Sequence, residues 1–200
     1  MMNVSTFIGR LNFQDLVDRQ WLVCPSCREF LTLSLENNQN FRCPACEHEY
    51  LGRNGIVSLL PQSEDSVKKD IQVFWGELYG AIYAEEDTKR AAEELNAQMP
   101  SLEELFFHRK HLAAVEMDLR NLSGKTVLEI GSGAGAHSAF FRWHGAHVIS
   151  TDITLSRVGA TAQKLQMVKG CGDYCCLQAD AERLPFADNL FDVVYSNGVL

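Results

Sequence analysis

Residues 126–136 read Thr126-Val127-Leu128-Glu129-Ile130-Gly131-Ser132-Gly133-Ala134-Gly135-Ala136, and the fold turns on how this stretch is read. A short apolar run leads straight into a glycine cluster. A helix-compatible stretch, His137 to His144, follows. The pattern is strand, tight loop, helix. Glycines let the backbone approach a ligand with no Cβ in the way, and the start of a helix presents free N–H groups. Taken alone the loop is ambiguous, because Gly131, Gly133 and Ala136 also satisfy the dinucleotide pattern G-x-G-x-x-G/A.

Three features downstream and within the strand shift the balance. Glu129 lies two residues before Gly131. A carboxylate there repels a diphosphate, whereas a methionine ammonium and a sulfonium attract it. His147-Val148-Ile149-Ser150-Thr151-Asp152 reads as a second strand closing in an acid, about 20 residues past the glycines, where a carboxylate can accept from both ribose hydroxyls. NAD enzymes share that feature. Cys176-Leu177-Gln178-Ala179-Asp180-Ala181 reads as a third strand, with Asp180 able to take an adenine amino group and the Ala181 backbone able to serve the ring. Leu184 to Asn197 then reads as a loop feeding a fourth strand. Helix capping after a strand is the plain alternative for Asp152 and Asp180, and Asp192 is read as a turn or strand-entry acid.

The ordered set is more specific than its parts. Glu129-x-Gly131-x-Gly133-x-Gly135, then Asp152, then Ala179-Asp180-Ala181-Glu182-x-Leu184-Pro185-Phe186, then Phe191-Asp192-Val193-Val194 resembles the class I S-adenosylmethionine-dependent methyltransferases of the UbiE-like and "methyltransferase 11" type, from about Lys125 to Leu200. The resemblance implies that Glu129, Gly131, Gly133 and Gly135 bound the methionine side of S-adenosylmethionine. It implies that Asp152 and Ile153 hold ribose and adenine, that Asp180 and Ala181 hold the adenine edge, and that Ser196 and Asn197 line the methionine and acceptor mouth. It also implies an α/β, Rossmann-like parallel sheet, whose family order is 3-2-1-4-5-7-6. The chain supplies strands 1 to 4 and ends at Leu200, so the expectation is a fragment lacking the C-terminal half. Strand 4 then needs a missing segment or a partner to cover its apolar edge.

The N-terminal part carries a second motif. Cys24-Pro25-Ser26-Cys27 and Cys43-Pro44-Ala45-Cys46 are two C-x2-C knuckles separated by fifteen residues. Two residues between cysteines let both sulfurs point at one ion, and two knuckles close a tetrahedron, the geometry of structural zinc. Cys24, Cys27, Cys43 and Cys46 are therefore the expected ligands, with His48 the alternative to Cys46. Four protein ligands leave no open position, so the zinc is expected to be structural. Phe30 to Leu35, the turn at residues 36–40 and the second knuckle read as a hairpin. With the following Tyr50-Leu51-Gly52-Arg53-Asn54-Gly55-Ile56-Val57, this part resembles the Trm112-like zinc ribbon at the front of some bacterial methyltransferases. It also resembles the front of the rRNA guanine-N1 methyltransferases, where the ribbon is associated with RNA recognition. Here Arg28, Arg42 and Arg53 stand among several acids, which runs against RNA binding.

Between the two motifs, residues 62–122 have apolar residues at helical spacing. Ile71, Phe74, Trp75, Leu78 and Ile82 share one face of a first helix. A second is predicted from Ser101 to Asn121, with Ser101-Leu102-Glu103-Glu104 as a capping box and Leu105, Leu112, Val115 and Leu119 as its stripe. Phe74, Trp75 and Tyr79 read as core, with a lid over the cofactor or acceptor pocket as the rival. His108 and His111 read as surface or satisfied histidines. The expected organisation is thus a zinc ribbon over 1–61, a helical connector over 62–122 and a cofactor-binding half over 123–200.

Composition agrees with a globular chain: 200 residues, 46% hydrophobic, 22% charged. There is no apolar run long enough to span a membrane and no signal-like start, so a cytosolic chain is expected. Reduced thiols follow, and for seven cysteines metal binding or burial rather than disulfides. Cys171, Cys175 and Cys176 read as plain buried thiols. The net charge of −8 argues against broad attachment to nucleic acid. The leading functional expectation is a methyltransferase acting on a small molecule or an RNA, with no catalytic residue assigned. Methyl transfer from a sulfonium needs alignment and exclusion of water more than a triad. A non-catalytic zinc-ribbon adaptor and an NAD-dependent oxidoreductase are the competing readings.

Overall fold

The computed structural model describes residues 13–34, 40–53, 56–62, 66–80, 88–108, 121–170 and 172–199. A short helix α1 (Phe13–Asp18) leads into a three-stranded antiparallel sheet of β1 (Thr32–Leu33), β2 (Phe41–Arg42) and β3 (Glu49–Tyr50), in that order. Thr32 pairs with Arg42 and Leu33 with Phe41, so the expected hairpin forms. Phe13 meets Phe41 edge-on at 5.4 Å, which fastens α1 to the sheet.

The larger sheet has six strands, β4 (Gly52–Arg53), β5 (Ile56–Leu59), β6 (Thr126–Ile130), β7 (His147–Asp152), β8 (Tyr174–Ala179) and β9 (Val193–Ser196), in the order β4-β5-β8-β7-β6-β9. From β5 to β9 every pairing is parallel. The four strands expected from the glycine-loop half therefore stand in the order 3-2-1-4. The third begins two residues earlier than expected, at Tyr174, and ends at Ala179. The unexpected strand is β5. Val57 pairs with Leu177 and Leu59 with Ala179, so the tail of the ribbon segment becomes a fifth parallel strand. β8 is thereby buried along its whole length and does not form an edge.

Alternation along the strands builds two cores. Leu128, Ile149, Cys175 and Leu177 face the ribbon and join Leu16, Leu22, Leu31, Phe41 and Tyr50 in one cluster. Val127, Val148, Tyr174 and Cys176 face the helices. The N-terminal segment, with its three-stranded sheet, is thus one wall of the larger sheet's own core.

The helices are α2 (Ser66–Gly80), α3 (Thr88–His108), α4 (Ala136–Trp143) and α5 (Leu155–Met167). The helix expected to begin at Ser101 begins at Thr88 and runs through Pro100. A proline inside a helix costs about 3 kcal/mol relative to alanine. Tertiary contacts offset it here: Met99 is fully buried, and Asn96 accepts from the Lys169 N–H at 2.7 Å and donates to the Met167 carbonyl at 3.0 Å. Ser101 is consequently interior to the helix and its capping box does not form. Leu112, Val115, Leu119 and His111 lie outside the described residues, as do Ile82 and Cys171. On α2, Phe74 and Trp75 are 58% and 39% exposed, so they are not core residues. No described helix is long and apolar enough to cross a membrane.

Candidate cofactor site and cysteine cluster

The sheet order reverses beside β6: the chain moves from β6 to β7 to β8, then returns to the other flank of β6 as β9. In an open parallel sheet such a reversal leaves a crevice at the carboxyl ends of the strands. The glycine loop sits at that point. Gly131, Gly133 and Gly135 have φ of 73°, 55° and 76°, all left-handed. The Gly131 and Ser132 amides donate to the Thr151 carbonyl at 2.8 and 2.9 Å, which folds the loop back over the tip of β7. Gly135 caps α4, and a Cβ built there comes within 2.9 Å of the Thr161 backbone in α5.

Asp152 braces this loop. One carboxylate oxygen accepts from the Gly133 N–H at 2.9 Å and the other from the Thr154 N–H at 2.8 Å. Burial pushes the carboxyl up, against the pull of those amides and of the Arg157 charge. Each oxygen keeps a lone pair for a further donor. Ile153 beside it is half-buried, and its carbonyl accepts from the Gln178 side chain at 2.9 Å.

Asp152 pairs in register with Gln178, which places Asp180 at the neighbouring strand tip. Asp180 is 3% exposed. It caps the 3-10 turn Ala181–Arg183 by accepting from the Glu182 N–H at 3.0 Å. Its second oxygen is taken by Lys68 of α2, whose ammonium also meets Glu182 at 2.8 Å. Burial works against the Lys68 charge, but the two carboxylates outweigh it and hold the ammonium above its ordinary range. Lys68 was not legible in the sequence as a site residue.

Glu129 is placed differently from its expected ligand-facing role. Its side chain points to the helical face, 1% exposed, where the Ser138 hydroxyl donates to it and His137 Nδ1 lies 3.4 Å away. Ser138 also meets the Ser150 hydroxyl at 2.6 Å, and the His137 ring stands edge-on to Tyr195 at 5.3 Å. His137 is the half-buried member of this network. On β9, the Ser196 hydroxyl is buried without a hydrogen-bond partner among the described residues, and Asn197 is exposed. Val199 folds back against Gly131. Asp192 accepts from the Thr126 N–H at 2.8 Å and pairs with Lys125, the strand-entry role expected of it.

In the ribbon, the sulfurs of Cys24, Cys27, Cys43 and Cys46 lie within 4.8 Å of one another. Cys24 and Cys46 are 3.7 Å apart and Cys27 and Cys43 are 3.4 Å apart. Zn–S bonds of about 2.3 Å in a tetrahedron place sulfurs about 3.8 Å apart, so the cluster has the size and the soft donor set of a zinc site. The knuckles are alike. Cys24 N–H donates to the Glu29 carbonyl and Cys43 N–H to the His48 carbonyl, and the residue after each knuckle, Arg28 or Glu47, is left-handed with φ of 70° or 59°. His48 stacks edge-on against Tyr50 and lies outside the sulfur cluster. Burial opposes ionisation of Cys24, but the Tyr50 hydroxyl at 3.1 Å and the knuckle amides outweigh it and bring the thiol to about 6. Cys175 and Cys176 are buried in β8 with thiols pushed up by that burial.

Comparison with known proteins fits this geometry. Residues 128–200 match the family model of a methyltransferase domain. The stretch is similar to the ubiquinone/menaquinone biosynthesis C-methyltransferase UbiE of Haemophilus ducreyi, with 40% identity over 74 residues, 36% of this chain and 29% of that protein. For the same enzyme of Vibrio cholerae the figures are 39%, 36% and 28%. The match thus spans less than a third of these relatives. Among solved structures, the magnesium protoporphyrin IX methyltransferase of Synechocystis PCC 6803 with bound SAH is similar at 22% identity, covering 69% of this chain and 59% of that one, with a TM-score of 0.44. The methyltransferase-domain stretch begins inside β6 and contains the glycine loop, Asp152 and Asp180. The cysteine cluster lies outside it.

Proposed function

We propose that this chain is part of a class I S-adenosylmethionine-dependent methyltransferase, with a structural zinc held by Cys24, Cys27, Cys43 and Cys46. The observation that carries the reading is the left-handed glycine loop tied to Asp152, with Asp180 at the next strand tip, inside the stretch that matches a methyltransferase domain. In this reading the Gly131–Gly135 loop passes beside the methionine end, Asp152 accepts from the ribose hydroxyls with Ile153 against the adenine, and Asp180 and Ala181 serve the adenine edge. Glu129, with His137 against it, bounds the methionine side from within, and Ser196 and Asn197 line the methionine and acceptor mouth. When bound, the cofactor supplies a methyl group already activated by its sulfonium. The protein contributes alignment and exclusion of water. The acceptor is a small molecule or an RNA.

A second reading has a specific observation behind it. Both oxygens of the buried Asp180 already meet a donor, Lys68 on one and the Glu182 amide on the other, as in an adaptor whose strand tip serves its own fold and binds no nucleoside. Isothermal titration of the metal-loaded chain with S-adenosylmethionine and with NAD separates the cases. Saturable binding of the first alone is expected. Binding of neither supports the adaptor, and binding of NAD alone supports an oxidoreductase.

A further inference from the structure

The cysteine knuckle does not stand apart from the candidate cofactor site. The connection between β8 and β9 begins at Asp180 and runs through Leu184 to Asp188, and the ribbon is stitched along it. The Val23 N–H donates to the Pro185 carbonyl at 3.0 Å, the Ala187 N–H donates to the Trp21 carbonyl at 2.9 Å, and Leu22 bridges Phe186. Arg28, the residue immediately after Cys27, completes the seam. Its guanidinium donates to the Leu184 and Phe186 carbonyls, both at 2.9 Å, and meets Asp188 at 3.4 Å. Arg28 occupies the left-handed position that closes the knuckle, with its amide on the Cys24 carbonyl at 2.8 Å. Glycine is the less strained residue for such a backbone, so what an arginine adds there is its side chain. The knuckle thus sets the direction from which the Arg28 side chain leaves the backbone, and its guanidinium holds two carbonyls of the loop that starts at Asp180.

We infer that Arg28 is a positioning residue through which the metal-organised knuckle braces the 181–188 loop, so that an occupied cysteine site raises affinity for the nucleoside without touching it. The effect on affinity rests on the cofactor reading above; the brace itself does not. Arg28 reaches the two carbonyls through two different nitrogens of one rigid plane, whereas a lysine ammonium offers its donors from a single nitrogen on a shorter, more flexible stem.

The test uses the full metal-loaded chain with Arg28→Met and Arg28→Lys. Bound metal per chain is measured first, then amide exchange of residues 181–188, then S-adenosylmethionine affinity. R28M is expected to keep its metal, to exchange faster across 181–188 and to bind about tenfold more weakly, a factor of the size one lost net hydrogen bond produces. R28K falls between R28M and the parent. Stripping the metal from the parent chain is expected to reproduce the faster exchange. Parent-like exchange across 181–188 in metal-loaded R28M overturns the inference, and so does faster exchange with unchanged affinity. Faster exchange in a chain that binds no S-adenosylmethionine, parent included, supports the brace and overturns the proposed function instead.

Discussion

Gly135 is the residue whose replacement the geometry forbids most clearly. Its φ of 76° is left-handed, and a Cβ would meet Thr161 backbone at 2.9 Å. Gly135→Ala is expected to lower stability by about 2 kcal/mol, since strain and overpacking act together, seen as a lower urea midpoint with unchanged slope. Asp152 gives a pH signature. Burial raises its carboxyl above the ordinary value, so the folded state holds that proton more tightly than the unfolded state. Its contribution is therefore most favourable below the unfolded value and declines as pH rises from there through the raised folded value. Urea midpoints of the parent minus those of Asp152→Asn are expected to shrink as pH climbs through that window. A difference flat in pH contradicts the assignment. These residues were legible in the sequence because glycine clusters and strand-terminal acids answer local backbone demands. Lys68 and Arg28 were not, because their partners lie 112 and 156 positions away. Glu129 was found, but its orientation was not, since no local pattern says that Ser138 and His137 will gather it into the helical face.

Among the elements, α2 matters most to the site. It delivers Lys68 to Asp180 and leaves Phe74 and Trp75 exposed. Lys68→Met is expected to lower stability by about 1 kcal/mol or more, because Asp180 stays buried with the Glu182 amide as its one remaining side-chain partner among the described residues. The same change is expected to raise affinity for S-adenosylmethionine, because the adenine amino group no longer competes with an ammonium. Titration calorimetry checks this, and weaker binding by the variant would assign Lys68 to the cofactor side. The strands of the glycine-loop half were readable because buried parallel strands are short apolar runs bounded by turn residues. β5 was not. Ile56-Val57-Ser58-Leu59 looks like the end of a ribbon hairpin, and its parallel pairing with β8 is a long-range choice driven by burying Val57 and Leu59 completely. The start of α3 was missed for a related reason. Pro100 reads locally as a break, and Met99 and Asn96 hold the helix across it.

At the scale of the whole molecule, ribbon and sheet share one core, in which Phe41, Tyr50 and Leu22 pack with Leu128, Ile149 and Leu177. The sequence showed two motifs separated by a helical connector. It did not show that they close on one another, because the two sides of the seam, residues 21–28 and 184–188, lie far apart in sequence and meet largely through backbone groups. β9 lies at one border of the sheet with Val194 59% exposed, on the flank of β6 that the cofactor reading uses. The crevice at the tips of β6, β7 and β8 is proposed to hold an adenosine. The most direct measurement is a titration of the isotopically labelled chain with S-adenosylhomocysteine, followed by backbone amide resonances. Saturable shifts concentrated at Gly131 to Gly135, Ile153 and Ala181 are expected; saturation with those amides unmoved, or no saturation at all, would place the adenosine elsewhere or nowhere on this chain.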